Sequence, residues 1–414
     1  MSVIHRRNTC RGCESSQLDL VFALKPSPIG DAYVTREQCS TLQPSYPIDL
    51  FMCRQCGLAQ LSDVIDPKLL YGDYIYLTSS SHGLAEHFDS YAEEVISNCR
   101  LPSGSLVLDI GSNDGTLLRE FDLRGMRVLG VEPAAHIATA ATVAGVPTVN
   151  AFFTPDLAAQ LVREHGRAQV ITANNVLANV DDLYSLAQAI ECILAPNGVF
   201  VMESSYLSDL VNNLVFDFIY HEHLSSFSVR PIRELFKRVE LELTAVQRIP
   251  TKGGSLRYFL QRPGGPLVAD GSVTDMLDLE QKTGLYRMET YTKLTATIDG
   301  LKRQLHKFLS EQRKQGKSIA GFGASITVTT LIYHFEIGEY IDYLVDDNTA
   351  KQGRFSPGLH LPVLPMSTLL ERKTDYLLTL AWRFADQFIL RNGAYLDAGG
   401  TVVVPVPEFK IISR

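Results

Sequence analysis

SLVLDIGSNDG, residues 105–115, decides the fold. Its first half is an apolar run of strand length set off by Pro102 and Gly104, which reads as a buried strand. Its second half is a glycine turn, Gly111-Ser-Asn-Asp-Gly115, that enters the helical segment TLLREF. A second strand, MRVLGVEP, ends at Glu132, 21 residues after Gly111 (132 − 111). This spacing matches the nucleoside-binding form of the doubly wound α/β fold. There, glycine lets the backbone approach a ligand and the acid closing strand two pairs with ribose hydroxyls.

The glycines follow G-x-x-x-G rather than G-x-G-x-x-G, and Asp109 and Asp114 stand where a diphosphate would meet the helix N-terminus. Carboxylates there repel a diphosphate and suit a zwitterionic or cationic ligand. That chemistry points to S-adenosylmethionine (AdoMet), with its amino group and sulfonium, over NAD. A strand-turn-helix with no ligand is the plain alternative. Asp109, Gly111, Asn113, Gly115 and Glu132 are the candidate cofactor residues. Further βα units follow: AQVITANNVLANVDDL holds a strand ending at Asn174 and Asn175, and Asn174 joins that set. APNGVFVMESSY holds another strand, ending near Glu203.

At 414 residues and 45% hydrophobic, the chain can bury two or three cores, so a single small binding module is excluded. The net charge of -8 and the short basic clusters, such as Lys314–Lys317, argue against a nucleic-acid partner. No run approaches the roughly 18 to 20 apolar residues of a membrane span, and MSVIHRRN is too polar for a signal peptide. We expect a cytoplasmic protein.

Four of the seven cysteines form two matched pairs, Cys10-Arg-Gly-Cys13 and Cys53-Arg-Gln-Cys56. Two such knuckles supply four thiolates for a tetrahedral zinc site, while Cys39, Cys99 and Cys192 stand alone. Redox dithiols are the alternative, but no thioredoxin-like βαβ pattern surrounds either pair. Four Cys ligands leave no open position, so the Zn2+ is expected to hold an N-terminal module together and do no chemistry.

YGDYIYLTSSSH, residues 71–82, reads as a loop leading into a helix with apolar Leu84, Phe88, Tyr91 and Val95. The C-terminal third begins with an amphipathic helix whose apolar Tyr291, Leu294, Ile298, Leu301, Leu305 and Phe308 recur at spacings of three and four. SIAGFGAS then repeats the strand-glycine-helix order, and YIDYLVDDN closes a second strand at Asp346. A lone GxG fits a ligand site or a purely structural layer. Lys351 and Arg354, beside the Ser356-Pro357-Gly358 turn, form a compact cationic loop suited to a diphosphate or simply to solvent.

FDFIYHEHLSSFS, residues 216–228, crowds Tyr220, His221, Glu222 and His223 together. These side chains hold and move protons near neutral pH, although a polar turn capping an element has the same composition. If the segment is extended, His221 and His223 face opposite sides.

With these motifs the chain resembles the nucleotide-sugar C-methyltransferases that act on 4-keto-deoxysugars. The likeness runs through CRGC and CRQC, the Tyr- and Ser-rich loop, DIGSNDGTLL, ANNVLANVDD, YHEHLSSFS, KGGSLR, KQGRFSPG and LAW, and covers essentially the whole chain. The resemblance implies three parts: a zinc-binding module over residues 1–75, an AdoMet-binding methyltransferase domain over 76–250, and a second Rossmann-like α/β domain over 251–414. It implies that His223 abstracts a proton and that Tyr76, Tyr220 and Glu222 line the sugar site. Glu222 would orient the imidazole and favour its charged form, and Tyr220 or a neighbouring donor would hydrogen-bond the enolate. Asn179, Lys252, Ser255, Arg257, Lys351 and Arg354 are the implied substrate contacts. The substrate is a nucleotide sugar, taken as dTDP-linked, and the protein is expected to be a monomer.

Two positions depart from that family's pattern. Asn179 stands where a histidine is usual, and Thr327 lies in a turn that commonly carries lysine. The expected reaction is C-methylation at carbon 3. Methylation at carbon 5, O- or N-methylation, and a zinc-bearing interaction protein are the other readings.

Overall fold

The computed structural model describes residues 3–71, 77–80 and 83–414. In chain order the N-terminal strands are β1 (Ile4–Arg6), β2 (Leu18–Phe22), β3 (Leu50–Cys53), β4 (Ala59–Leu61) and β5 (Asp63–Ile65). β2, β3 and β4 form an antiparallel sheet whose fourth strand comes from far along the chain: β11 (Ser225–Ser226) pairs with β4.

The central sheet contains β6 (Leu106–Ile110), β7 (Arg127–Val131), β8 (Thr148–Val149), β9 (Ala168–Asn174), β10 (Leu194–Ser205), β12 (Glu242–Ile249) and β13 (Ser255–Gln261). Its order is β12-β13-β10-β9-β6-β7-β8, and β13 alone runs against the others. The expected strands SLVLDIG and MRVLGVEP are β6 and β7, and the strand order reverses between β6 and β9. The crevice beyond the carboxyl ends of these two strands is the natural ligand position in such a sheet. β6 is buried at every position, as a strand covered by helices on both faces must be. One of those helices, Leu84–Cys99, buries Phe88, Tyr91, Ala92, Val95 and Cys99, the apolar stripe that its 3.6-residue period lays on one side.

KGGSLR leads into β13, so the central sheet continues beyond residue 250, and sheet membership changes only after Gln261. A one-residue alternation cannot reveal this, because β13 is buried at all seven positions and its partners are set by long-range pairing.

The C-terminal sheet takes β14 (Ile319–Phe322), β15 (Tyr343–Val345), β16 (Val363–Leu364), β17 (Tyr376–Thr379), β18 (Thr401–Val404) and β19 (Lys410–Ile412) in the order β16-β15-β14-β17-β18-β19. All are parallel except β19. The helix Met288–Lys314 buries Tyr291, Leu294, Ile298, Leu301, Leu305 and Leu309. Phe308 is half-buried and meets Tyr376 and Phe409 edge-on. One continuous core joins this helix, the C-terminal sheet and the N-terminal Phe22, Leu24, Ile48 and Leu50, so the first and last parts of the chain share an interior. Among the described residues, no helix is long and apolar enough to cross a membrane.

Candidate active site

Two glycines define the mouth of the crevice. Gly111 follows β6 at φ +70°, and a Cβ on it would fall 2.4 Å from Val176 Cγ2, so only glycine fits. Gly115, at φ +76°, starts the helix Thr116–Leu123. Between them the turn is tied from both sides. Glu132 accepts from the amides of Asn113 (3.0 Å) and Ala134 (2.8 Å). Asn113 Oδ1 and Asp114 Oδ2 accept from the amides of Thr78 and Ser79, each at 2.9 Å. Thr78 and Ser79 therefore lie against the glycine turn.

Asp109 is buried in β6 and accepts from Thr172 Oγ1 at 2.6 Å. Burial pushes its carboxyl up to about 7, the Thr172 hydrogen bond opposes that rise, and the neighbouring Glu132 adds to it. Burial also raises Glu132, against the two amides that favour its charge. Two acids held above their ordinary range in one crevice suit a cation, which would draw both back to the ionised form. Asn174, at the end of β9, accepts from the Glu203 amide at 3.2 Å and leaves its buried Nδ2 without a partner among the described residues. The glycine turn, the acid pair and this donor fit AdoMet. Glu132→Ala should weaken AdoMet binding by roughly 1.5 to 3 kcal/mol, the range for hydrogen bonds to charged groups. Calorimetric affinity equal to that of the unmodified chain would exclude Glu132 from the cofactor site.

The FDFIYHEH segment is suspended beside the carboxyl ends of β9 and β10 by all three parts of the chain. From the C-terminal side, Arg383 donates twice to the fully buried Asp217 (2.9 Å each), Trp382 Nε1 donates to it at 3.1 Å, and the Arg383 guanidinium lies 4.4 Å over the Phe218 ring. From the N-terminal side, β4 pairs with β11, and Arg11 of the first cysteine knuckle donates to the carbonyls of Leu61 and Leu224 and to Asp181 Oδ1. At the end of β10, the Leu207 amide donates to the Phe227 carbonyl at 2.8 Å.

This suspension fixes His223. Its Nδ1 lies 3.0 Å from the Phe218 carbonyl, which can only accept, so Nδ1 carries the proton and Nε2 the lone pair. Tyr220 Oη then donates to Nε2 at 2.8 Å. His223 faces a narrow cleft with Asn175, Ser204, Ser205, Phe218 and Ser225. His221 turns the other way: Nε2 donates to the Tyr46 carbonyl at 3.2 Å, and burial lowers the ring to about 4, which keeps it neutral.

Several sequence-based roles change here. Glu222 is not the orienter of His223, because the Phe218 carbonyl holds Nδ1. Instead Glu222 lies near Asp31 and Lys351. Burial pushes its carboxyl up to about 8, with Asp31 adding and Lys351 opposing, which favours the neutral acid. Tyr220 is engaged by His223 rather than held for an enolate. Lys351 is no free diphosphate ligand: its Nζ binds Asp31 Oδ1 (2.5 Å) and the Ala324 carbonyl (2.7 Å). Arg354 is exposed. Arg257 is buried over Tyr91 and bonded to Glu203 and Glu94, and the Glu203 carboxylate also meets His87 Nε2 at 2.9 Å. Such a paired guanidinium has no donor fork to offer a substrate anion. Ser255 is buried and donates to the Thr251 carbonyl at 3.1 Å. Asn179 sits in the short turn after Asn175, with its Oδ1 buried and unpartnered among the described residues. Tyr76 lies outside the described residues, as does the placement of the Lys252 side chain.

The second glycine turn is filled by protein. The Gly30 backbone packs against Ile326, where a Cβ on Gly30 would fall 2.3 Å from Ile326 Cγ1, and Thr329 Oγ1 donates to the Gly30 carbonyl at 2.8 Å. Asp346 is occupied by the amides of Ala324 and Asn348. Thr327, at the lysine position, meets Ser325 and Arg383.

The four cysteine sulfurs Cys10, Cys13, Cys53 and Cys56 lie within 4.8 Å of one another, with Cys10–Cys56 at 3.4 Å and Cys13–Cys53 at 3.6 Å. A tetrahedron with Zn–S bonds of about 2.3 Å has sulfurs about 3.8 Å apart, so the cluster fits zinc.

Three family models match successive parts of the chain: "Putative zinc binding domain" over residues 10–71, "Methyltransferase domain" over 84–246 and "C-methyltransferase C-terminal domain" over 250–407. The C-methyltransferase NovU of Streptomyces niveus is 29% identical over 412 residues, 99% of this chain and 98% of NovU. Among solved structures, an S-adenosylmethionine-dependent methyltransferase from Clostridium acetobutylicum matches 48% of this chain and 96% of its own at 13% identity and a TM-score of 0.35. The magnesium protoporphyrin IX methyltransferase ChlM from Synechocystis matches 47% and 88% at 14% identity and 0.34. At these scores neither structure bears on the argument. The three matched domains in this order, with a relative of the same extent, identify the chain as an AdoMet-dependent C-methyltransferase with an N-terminal zinc-binding-type domain and a C-methyltransferase C-terminal domain.

Proposed function

We propose that the chain methylates carbon 3 of a nucleotide-linked 4-keto-deoxysugar, dTDP-linked in our reading, with His223 as the base. The observation that carries this is the tautomer of His223: with Nδ1–H held by the Phe218 carbonyl, Nε2 carries the lone pair, on the ring that lines the cleft. The motif resemblance supports the sugar. A hydrogen beside a ketone is acidic enough for such a base once the developing enolate is stabilised.

In this mechanism His223 Nε2 takes the proton from carbon 3, and the electron pair of the broken C–H bond moves toward the ketone oxygen. Tyr220, which caps Nε2, gives way to the substrate and keeps the imidazole plane fixed by ring contact at 4.0 Å. Asp109, Gly111, Asn113, Gly115, Glu132 and Asn174 would hold AdoMet, which supplies the electrophilic methyl. The protein then returns the proton from His223 to solvent. The zinc-bearing module and the C-terminal domain hold the catalytic segment in place.

The test is the product. With AdoMet and dTDP-4-keto-2,6-dideoxyglucose, the expected product carries one new methyl on carbon 3 by NMR. A methyl on oxygen, or on carbon 5, overturns this reading.

A further inference from the structure

We infer that Ser225 is a catalytic residue whose hydroxyl donates a hydrogen bond to the enolate oxygen, an inference that rests on the base reading of His223. Ser225 is 2% exposed, and its buried Oγ has no hydrogen-bond partner among the described residues. A buried hydroxyl left unpaired is costly, so an orphan at a reactive cleft calls for a ligand. Its position supplies one. Ser225 opens β11 two residues beyond His223, and both residues line the same cleft, whereas Leu224 between them is buried and gives its carbonyl to Arg11. His223 closes a turn, its amide donating to the Tyr220 carbonyl at 2.9 Å, and that turn brings its imidazole to the cleft that Ser225 also lines.

The two groups then divide the chemistry. The C–H bond beside the ketone breaks and its proton goes to His223 Nε2. The electron pair forms the carbon–carbon double bond as the carbonyl π pair moves to oxygen. That oxygen accepts from Ser225 Oγ–H, which keeps its proton. As the carbon takes the methyl group, the methyl–sulfur bond of the sulfonium would break with its electron pair left on sulfur, the carbonyl re-forms and the hydrogen bond weakens. Ser204, Ser205 and Ser226 also line the cleft, and Tyr220 Oη meets Nε2 at 2.8 Å, but of these hydroxyls the Ser225 Oγ is the one buried without a partner among the described residues. The backbone holding Ser225 is rigid, because its strand partner is Gln60 of β4, so the donor is oriented before charge develops.

The experiment follows deuterium uptake beside the ketone of dTDP-4-keto-2,6-dideoxyglucose in deuterated water, with S-adenosylhomocysteine present, alongside methylation and thermal unfolding. For Ser225→Ala we expect kcat for both reactions to fall about 10²-fold, with KM and AdoMet affinity nearly unchanged. The unfolding midpoint should stay level or rise, because an unpaired hydroxyl has been removed. Ser225→Thr should restore part of the rate. Wild-type exchange in Ser225→Ala, while His223→Asn has lost it, overturns the role of Ser225 and leaves the base standing. Wild-type exchange in His223→Asn removes the base reading itself. A fall in rate matched by a fall in midpoint, not restored by Thr, makes Ser225 structural and overturns the inference. Loss in Ser204→Ala with none in Ser225→Ala assigns the donor to the opposite wall.

Discussion

His223→Asn should slow methyl transfer by about 10²-fold or more while AdoMet and sugar-nucleotide binding persist. The size follows from what asparagine keeps and what it loses. Its amide can still donate toward the Phe218 carbonyl from roughly the Nδ1 position, so the segment retains its anchor. It has no lone pair of useful basicity to replace Nε2, so the proton has no acceptor in the cleft. Exchange beside the ketone in deuterated water, corrected for spontaneous exchange, reads the lost step directly. His221→Asn is the control: that ring is buried against Tyr46 on the other side and should leave exchange largely intact. Near wild-type exchange in His223→Asn, with loss in Tyr220→Phe, would make the tyrosine the base.

The second large effect is expected at the metal cluster. Cys53→Ser should release zinc, unfold the N-terminal module and abolish activity together. Structural zinc contributes on the order of 10 kcal/mol to the folding of small domains, more than a module of this size can recover from its own core. Activity should fall with it because Arg11, inside the first knuckle, donates to the Leu224 carbonyl directly after His223, and because β4 carries β11. Metal analysis of freshly purified, chelator-free protein should give one zinc per chain, and a chelator should remove metal and activity in parallel. Zinc-free protein with full activity would falsify the structural role.

The fold was largely legible because its signals are local. The glycine turn after β6, the acid ending β7 and the paired cysteines each declare themselves within a few residues. What stayed hidden depends on partners far away in sequence. Lys351 reads as a free cation until Asp31, 320 residues distant, is seen against it. Arg257 sits in KGGSLR and looks like an anion receiver, but β13 places it opposite Glu203 on β10, where the two must pair. The orienter of His223 is a backbone carbonyl, which no side-chain pattern can show. Glu222 therefore looked like the natural candidate, though burial raises its carboxyl and favours the neutral acid. Asp217 and Arg383 carried no periodicity to link them, and Ser225 is unremarkable until its hydroxyl is found without a partner.

The suspended FDFIYHEH segment also sets the order in which a newly made chain becomes active. Asp217 is separated from Arg383 by 166 residues, and Arg11 from Leu224 by 213. At a synthesis rate of about 5 to 20 residues per second, Arg383 follows Asp217 by on the order of ten to thirty seconds. During that interval the strands β6 to β10 are already available to pair. A nascent chain can therefore form the crevice that holds AdoMet while Phe218 still lacks its clamp and His223 its fixed tautomer. The clamp on the FDFIYHEH segment arrives last, with the closing strands of the C-terminal sheet, so a chain cut short between Gln261 and Arg383 keeps the strands of the central sheet but lacks the Arg383 clamp on Asp217.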